Sequence, residues 1–200
     1  MTTELDKNEE IGGSNDMGGF ALPPEGNIAK ETGVRMEFTG EIKLCGADND
    51  CLQFILAYVD DPTAKANIFC KTSAQAGLTK IVGIGRDSGV FNKIDKKRIA
   101  QNKTPIQTSD GKVKVRILTD PKFHEQLRKE IEGCAILCTI THSEAKAYVD
   151  KDSGETKEGF PQANISKIAP AGGKFTPNTP GTPATEEKSV TAKEDDEDWD

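Results

Sequence analysis

Hydrophobic and polar residues alternate through most of the middle of this chain, with a period of two. In VRMEFTGEIKLC, Val34, Met36, Phe38, Ile42 and Leu44 are interleaved with Arg35, Glu37, Thr39, Glu41 and Lys43. That pattern predicts a long, half-buried strand, bent or bulged at Gly40. GADND, 46–50, reads as a turn, and CLQFILAYV as a second strand with apolar residues on both faces. DDPTAK turns the chain again into NIFCK, 67–71. The period then changes. SAQAGLTKIVGIG predicts a short helix, and DSGVFNKIDKKRIAQNK a loop with one basic helical turn. TPIQTSDGKVKVRIL sets a D-G turn between two alternating runs, the pattern of a hairpin.

TDPKFHEQLRKEIEG carries the clearest helical signal. Thr119 or Asp120 can cap it, Pro121 suits its first turn, Phe123, Leu127 and Ile131 form one stripe, and Gly133 stops it. CAILCTITHS, AKAYVD and ANISKIAP, with the turn DKDSGETKEG before the last, supply two or three closing strands. No internal repeat is visible. Three strands, helical matter, then further strands predict a mainly β chain with inserted helices, folded as a small, antiparallel, OB-like barrel.

Charge divides the chain differently from its net value of −7. Residues 1–27 hold one Lys against six carboxylates and read as an acidic, disordered or loosely attached arm. From 170 to 200 the chain is rich in Pro, Gly and Thr and then acidic, with almost nothing aliphatic to offset the entropy of ordering; it reads as a disordered tail. Between them, residues 28–169 form a body of about 140 residues, enough for one independent core. Within that body, residues 80–116 hold ten cations against three Asp. A weakly basic body therefore carries two acidic arms.

Several function classes find no support. No run approaches the ~18 apolar residues of a membrane span, and MTTELDKNEE lacks a basic-then-apolar leader pattern, so a cytoplasmic location and no membrane partner are expected. The five Cys (45, 51, 70, 134 and 138) show no CxxC or Cys/His spacing and read as reduced thiols filling the core. His124, beside Phe123 on a helix, and His142, closing a strand, sit in ordinary settings. No HExxH, GxSxG or Walker-type loop is present. GIGRDSG, 83–89, follows a helical stretch where a phosphate-cradling loop follows a strand, so Gly83 or Gly85 reads as a helix stop. No catalytic residue, metal site or cofactor is expected.

Nucleic-acid binding asks for cations along a groove and aromatic faces for bases to stack on. In KVKVRIL, read as a strand, Lys112, Lys114 and Arg116 point one way, opposite Val113, Val115 and Ile117. At ~3.3 Å per residue those charges stand roughly 6.6 Å apart, comparable to the phosphates of an extended single strand. Lys93, Lys96, Lys97, Arg98 and Lys103 crowd the stretch around Phe91. On the third strand Asn67, Phe69 and Lys71 share a face, pairing a candidate stacking ring with a cation. Phe91 and Tyr148 are further candidate platforms. The clustered charge is a short electrostatic footprint for nucleic acid.

The chain ends in KEDDEDWD, with its single Trp among carboxylates: Asp195, Asp196, Glu197, Asp198, Trp199 and Asp200. A charge run gives little specificity, whereas a ring supplies an anchor, so this segment reads as a hook for a protein partner. A basic barrel, a Pro/Gly/Thr linker and DDEDWD together resemble the single-stranded DNA-binding proteins of replication, the tailed-phage versions most of all. GGFALPPEG before the first long strand, and GLTKIVGIG after the third, look like the layout of phage replication-region proteins. The resemblance implies a non-catalytic protein that coats single-stranded DNA in phage-type replication or recombination. It also implies a tail that recruits polymerase, helicase or primase in the host cytoplasm; a homodimer stays open. The alternative is an acidic interaction protein that mimics DNA toward a host enzyme.

Overall fold

A computed structural model describes residues 5–22, 31–60, 62–143, 148–149, 154–157 and 162–172. Among these, a 15-residue strand, β3 (Glu31–Cys45), organises the rest. At ~3.3 Å per residue it is roughly 50 Å long, too long to lie beside one straight neighbour. It bends instead. Its register with β4 (Cys51–Tyr58) shifts between Phe38 and Ile42, around Gly40 at φ +78°. Glycine meets that left-handed geometry without strain, as the sequence predicts for this position. β4 follows β3 on both sides of the bend, from Met36 to Cys45, while β7 (Ala135–Ser143) pairs with the first part of β3, so that Met36 and Glu37 are flanked on both edges.

The sheet closes on itself. β4 pairs with β5 (Lys65–Lys71), β5 with β2 (Asp16–Leu22), β2 with β10 (Gln162–Pro170), and β10 with β7, every pair antiparallel. Five of these strands, β3, β4, β5, β7 and β10, follow one another as an OB-like barrel does, with helices inserted between the third and fourth. β2 fills the gap between β5 and β10. The expected loose arm over residues 1–27 therefore needs correction: residues 16–22 are a barrel strand. The segment hides its role because it contains Gly18 and Gly19, which read as a linker. Gly19 is needed there, since a Cβ would overlap the Asn67 carbonyl of β5. Upstream, β1 (Glu10–Ile11) pairs with β6 (Val113–Lys114).

The inserted helices cap the barrel. α1 (Gln75–Asp87) buries Leu78, Ile81, Val82 and Ile84 and runs on past the two glycines expected to stop it. Gly83 and Gly85 are packing residues: a Cβ at Gly83 would strike the Ser14 carbonyl, and one at Gly85 the ring of Phe91. Gly89, at φ +74°, turns the chain into α2 (Val90–Ala100), a full helix where a loop and one turn are expected. Its buried stripe of Val90, Phe91 and Ile94 explains why. Asp95, 8% exposed, then pins the following loop, accepting bonds from the Ile106 amide at 2.6 Å and from Gln107.

Residues 107–118 form only the beginning of the expected hairpin. Gln107 bridges Val113 across the turn, but β6 ends at Lys114 and α3 (Val115–Leu118) follows at once. Val115 and Leu118, three apart and both buried, favour a helical turn against the core. The single row of cations expected from Lys112 to Arg116 is thus broken. α4 (Pro121–Ile131) matches its sequence reading closely: the Asp120 side chain accepts the Lys122 amide, Pro121 opens the helix, and Phe123, Leu127 and Ile131 are buried.

Between β7 and β10 in the chain, β8 (Tyr148–Val149) pairs antiparallel with β9 (Thr156–Lys157). One continuous core joins the barrel interior to the helices, from Met36, Phe54 and Ile68 to Ile84, Leu118 and Leu127.

Candidate nucleic-acid interface

Side chains of β4 and β5 alternate between the barrel interior and its outer surface. Leu52, Phe54, Leu56, Ala66, Ile68 and Cys70 point inward and are buried. The outward positions pair as Cys51 with Lys71, Gln53 with Phe69, Ile55 with Asn67 and Ala57 with Lys65. Phe69 is therefore a partly exposed ring flanked by polar groups on a rigid sheet. The Gln53 amide nitrogen donates to Asn67 Oδ1 at 2.9 Å, diagonally across the strands, which orients both amides. β3 extends the face, setting Lys43 beside Gln53 and Cys45 beside Cys51. Ile55 is buried although it faces outward, so the open part of the surface runs from Phe69 and Gln53 toward Lys71 and Lys43.

The turn between β3 and β4 borders this face and is held firmly. Asp50 accepts the Ser73 hydroxyl at 2.5 Å and lies 3.4 Å from Lys71 Nζ, while its carbonyl accepts the Thr72 amide. The Ser73 hydroxyl, and after it the Lys71 ammonium, holds the Asp50 carboxyl below the usual carboxylate range. Both side chains are near water, so the pair orients Lys71 more than it stabilises the fold.

The cations expected to track phosphates divide into two sets. Lys93 and Lys97 both reach Glu130 on α4, at 3.6 and 2.5 Å, and Lys97 holds that carboxyl below its ordinary value. They clamp α2 to α4. Lys112 is paired with Asp110 at 2.7 Å, Lys103 donates to Gln101, and Lys114 stands opposite Glu10 in the β1–β6 register. Lys96 is exposed on α2. Arg98 and Arg116 meet in a second place, a cleft of about 390 Å³ between α2, α3 and α4, where Lys122 and Gln126 join them. The sequence reading missed Lys122 and Gln126, although their spacing of four on a helix puts them on one face. It also missed Gln53 and Lys43, which the period-two pattern places on the same surface as Phe69.

The aromatic candidates separate clearly. Phe91 is wholly buried, its ring 5.9 Å from that of Phe123, and cannot stack on a base. The backbone of Tyr148 pairs with Lys157, and its side chain lies outside the described residues, as do Asp195, Asp196, Glu197, Asp198, Trp199 and Asp200. That leaves Phe69 as the candidate whose described position suits stacking.

Cys70 and Cys138 are buried, and burial pushes the Cys138 thiol up to about 12. Cys45, Cys51 and Cys134 are partly exposed, which corrects the reading of all five as core residues. Burial, and then the neighbouring Cys45, pushes the Cys51 thiol up to about 11. Among the described residues no three His, Cys, Asp or Glu converge as metal ligands, and no helix is long and apolar enough to cross a membrane.

No protein-family model matches the chain, and no curated protein or solved structure matches it either.

Proposed function

We propose that this chain is a non-catalytic single-stranded DNA-binding protein of phage-type replication or recombination, gripping the strand on the outer face of β4 and β5. The observation that carries this reading is the position of Phe69: a partly exposed ring on the second-to-third-strand face of an OB-like barrel, beside Gln53, Asn67, Lys71 and Lys43. That face is where OB-type barrels take oligonucleotides. The ring offers a platform for any base, the oriented amides offer hydrogen bonds to base edges, and the lysines offer charge to phosphates. The segment 195–200 would hook a replication protein through Trp199 and its flanking carboxylates.

A titration of fluorescent single-stranded oligonucleotide, followed by anisotropy, tests the reading. Loss of one base–aromatic stack costs about 1–3 kcal/mol, so Phe69→Ala is expected to weaken binding roughly fivefold to 150-fold, with unchanged circular dichroism. Affinity in the parent protein falls as salt rises. Unaltered affinity in Phe69→Ala would remove the β4–β5 face from the account.

A further inference from the structure

The clamp on Lys93 and Lys97 makes the cleft between α2, α3 and α4 stand out. Arg98 comes from the last turn of α2, Arg116 from α3 and Lys122 from the first turn of α4, over a wall of Ile106, Ile117 and Phe123. Among the described residues no carboxylate is ion-paired with any of the three. Among the described residues the one acid lining the cleft is Asp120, whose side chain accepts the Lys122 amide. Arg98 is held in place, its Nε donating to the Thr104 carbonyl at 2.7 Å, which leaves the two terminal nitrogens of its fork for a ligand. The first amides of α4 are spent on the Asp120 cap, so recognition falls to the side chains.

Three cations from three elements outnumber the one carboxylate in this cleft, which leaves it a net positive charge that a bound anion offsets. The cleft has a fixed relation to the barrel face. α4 stands behind the end of β3 and β4: its Pro121, His124 and Arg128 line a groove with Ile42, Leu44 and Leu52, which alternate with Lys43 and Gln53 and so face the opposite side of the ladder, while its Lys122, Phe123 and Gln126 line the cleft.

We infer that the cleft of Arg98, Arg116, Lys122 and Gln126 is a second phosphate site, which takes the backbone of the same nucleic-acid strand after it leaves the barrel face. This rests on the proposed function and lengthens its footprint. Phosphodiester is the ligand chemistry: Arg98 and Arg116 grip phosphate oxygens as forks, Lys122 adds a point charge, and Gln126 supplies a neutral hydrogen bond. Short strands occupy the barrel face alone, and longer ones use both sites.

The test compares full-length parent, Phe69→Ala, an Arg116→Ala/Lys122→Ala double variant and the control Lys129→Ala, an exposed cation of α4 outside the cleft. Two labelled oligothymidylates are titrated, one of about eight nucleotides, within the reach of a single OB-type barrel, and one of about 24. The expected result is that the double variant binds the short strand like the parent and the long strand roughly tenfold more weakly. Its log–log salt slope for the long strand should shrink by about 1.4, since each phosphate contact with a single strand contributes about 0.7. Lys129→Ala changes neither.

If the double variant binds the long strand with parental affinity and slope while Phe69→Ala loses both strands, the inference falls and the proposed function stands. If Phe69→Ala binds normally, the proposed function falls, and the second site with it. Two competitors at the Arg116 and Lys122 amides, followed by NMR, identify other occupants. Perturbation of those amides by inorganic phosphate or by a synthetic peptide of residues 190–200, with none from the long strand, overturns the inference.

Discussion

Replacing Asp95 by Ala strikes the point where the loop after α2 is tied to the helix layer. The carboxylate is 8% exposed and accepts the Ile106 amide at 2.6 Å, the Gln107 amide at 3.3 Å and the Gln107 side-chain nitrogen at 3.0 Å. A hydrogen bond to a charged group contributes about 1.5–3 kcal/mol, and a buried donor left without a partner costs about 1–3 kcal/mol. The Ile106 amide is buried with its side chain; the Gln107 groups are nearer water and recover solvent. The loss is therefore dominated by one strong bond and comes to about 2–4 kcal/mol. For a chain of this size that lowers Tm by roughly 6–12 °C at the middle of the range. Asp95→Asn keeps one acceptor for Ile106 and loses about half as much. Differential scanning calorimetry gives the stabilities, and amide hydrogen exchange at Ile106 locates the effect. If Asp95→Ala melts within a degree of the parent and the Ile106 amide keeps its protection, the loop is held by something other than this carboxylate.

Gly85→Ala drives a methyl group into the Phe91 ring, and overpacking of this kind costs about 1–3 kcal/mol; Phe91→Leu in the same chain is expected to recover part of the lost Tm. Glu130 is held below its ordinary value of 4.5 by Lys97 and then Lys93, so the stability it adds is complete above that value and fades as pH falls through the folded-state value. Glu130→Gln should accordingly lose less Tm than the parent between about pH 5 and pH 3, and an equal loss would dismiss the α2–α4 clamp as a contributor. In native protein at neutral pH, mass spectrometry after iodoacetamide should find Cys70 and Cys138 unlabelled, with Cys45, Cys51 and Cys134 modified slowly; rapid labelling of Cys70 would contradict its place inside the barrel.

Much of the barrel was legible because its strands obey one local rule. The alternation in residues 34–44 marks β3, and Gly40 marks its bend, because both signals lie within the segment they describe. α4 was legible for the same reason: cap, opening proline, apolar stripe and closing glycine are all local. β2 was not. Its Gly19 serves a neighbour about fifty residues away in the chain, the Asn67 carbonyl, and composition alone cannot distinguish such a strand from a linker. Residues 112–118 misled for a related reason, since Val113 and Val115 fit a strand and Val115 and Leu118 fit a helical turn, and the core decides between them.

The candidate site divides along the same line. The strand parity of Asn67, Phe69 and Lys71 can be read from seven residues, and the register then adds Gln53 and Lys43. The charge cluster of 80–116 could not be sorted from sequence. Glu130 neutralises Lys93 and Lys97 from over thirty residues downstream, whereas Arg98 and Arg116 have no ion pair among the described residues and gain Lys122 through the packing of three helices. A local excess of cations marks where charge is, and the fold decides which of it remains available.

The central claim is that a single strand lies against Phe69 on the outer face of β4 and β5. The most direct measurement is photo-crosslinking of full-length protein to an oligonucleotide carrying iodouracil, followed by mass spectrometry of the tryptic digest. The account predicts a salt-sensitive crosslink in the peptide Ala66–Lys71, at Phe69, that unlabelled single strand competes away. Saturable binding with every crosslink elsewhere, or no binding at low salt, would contradict it.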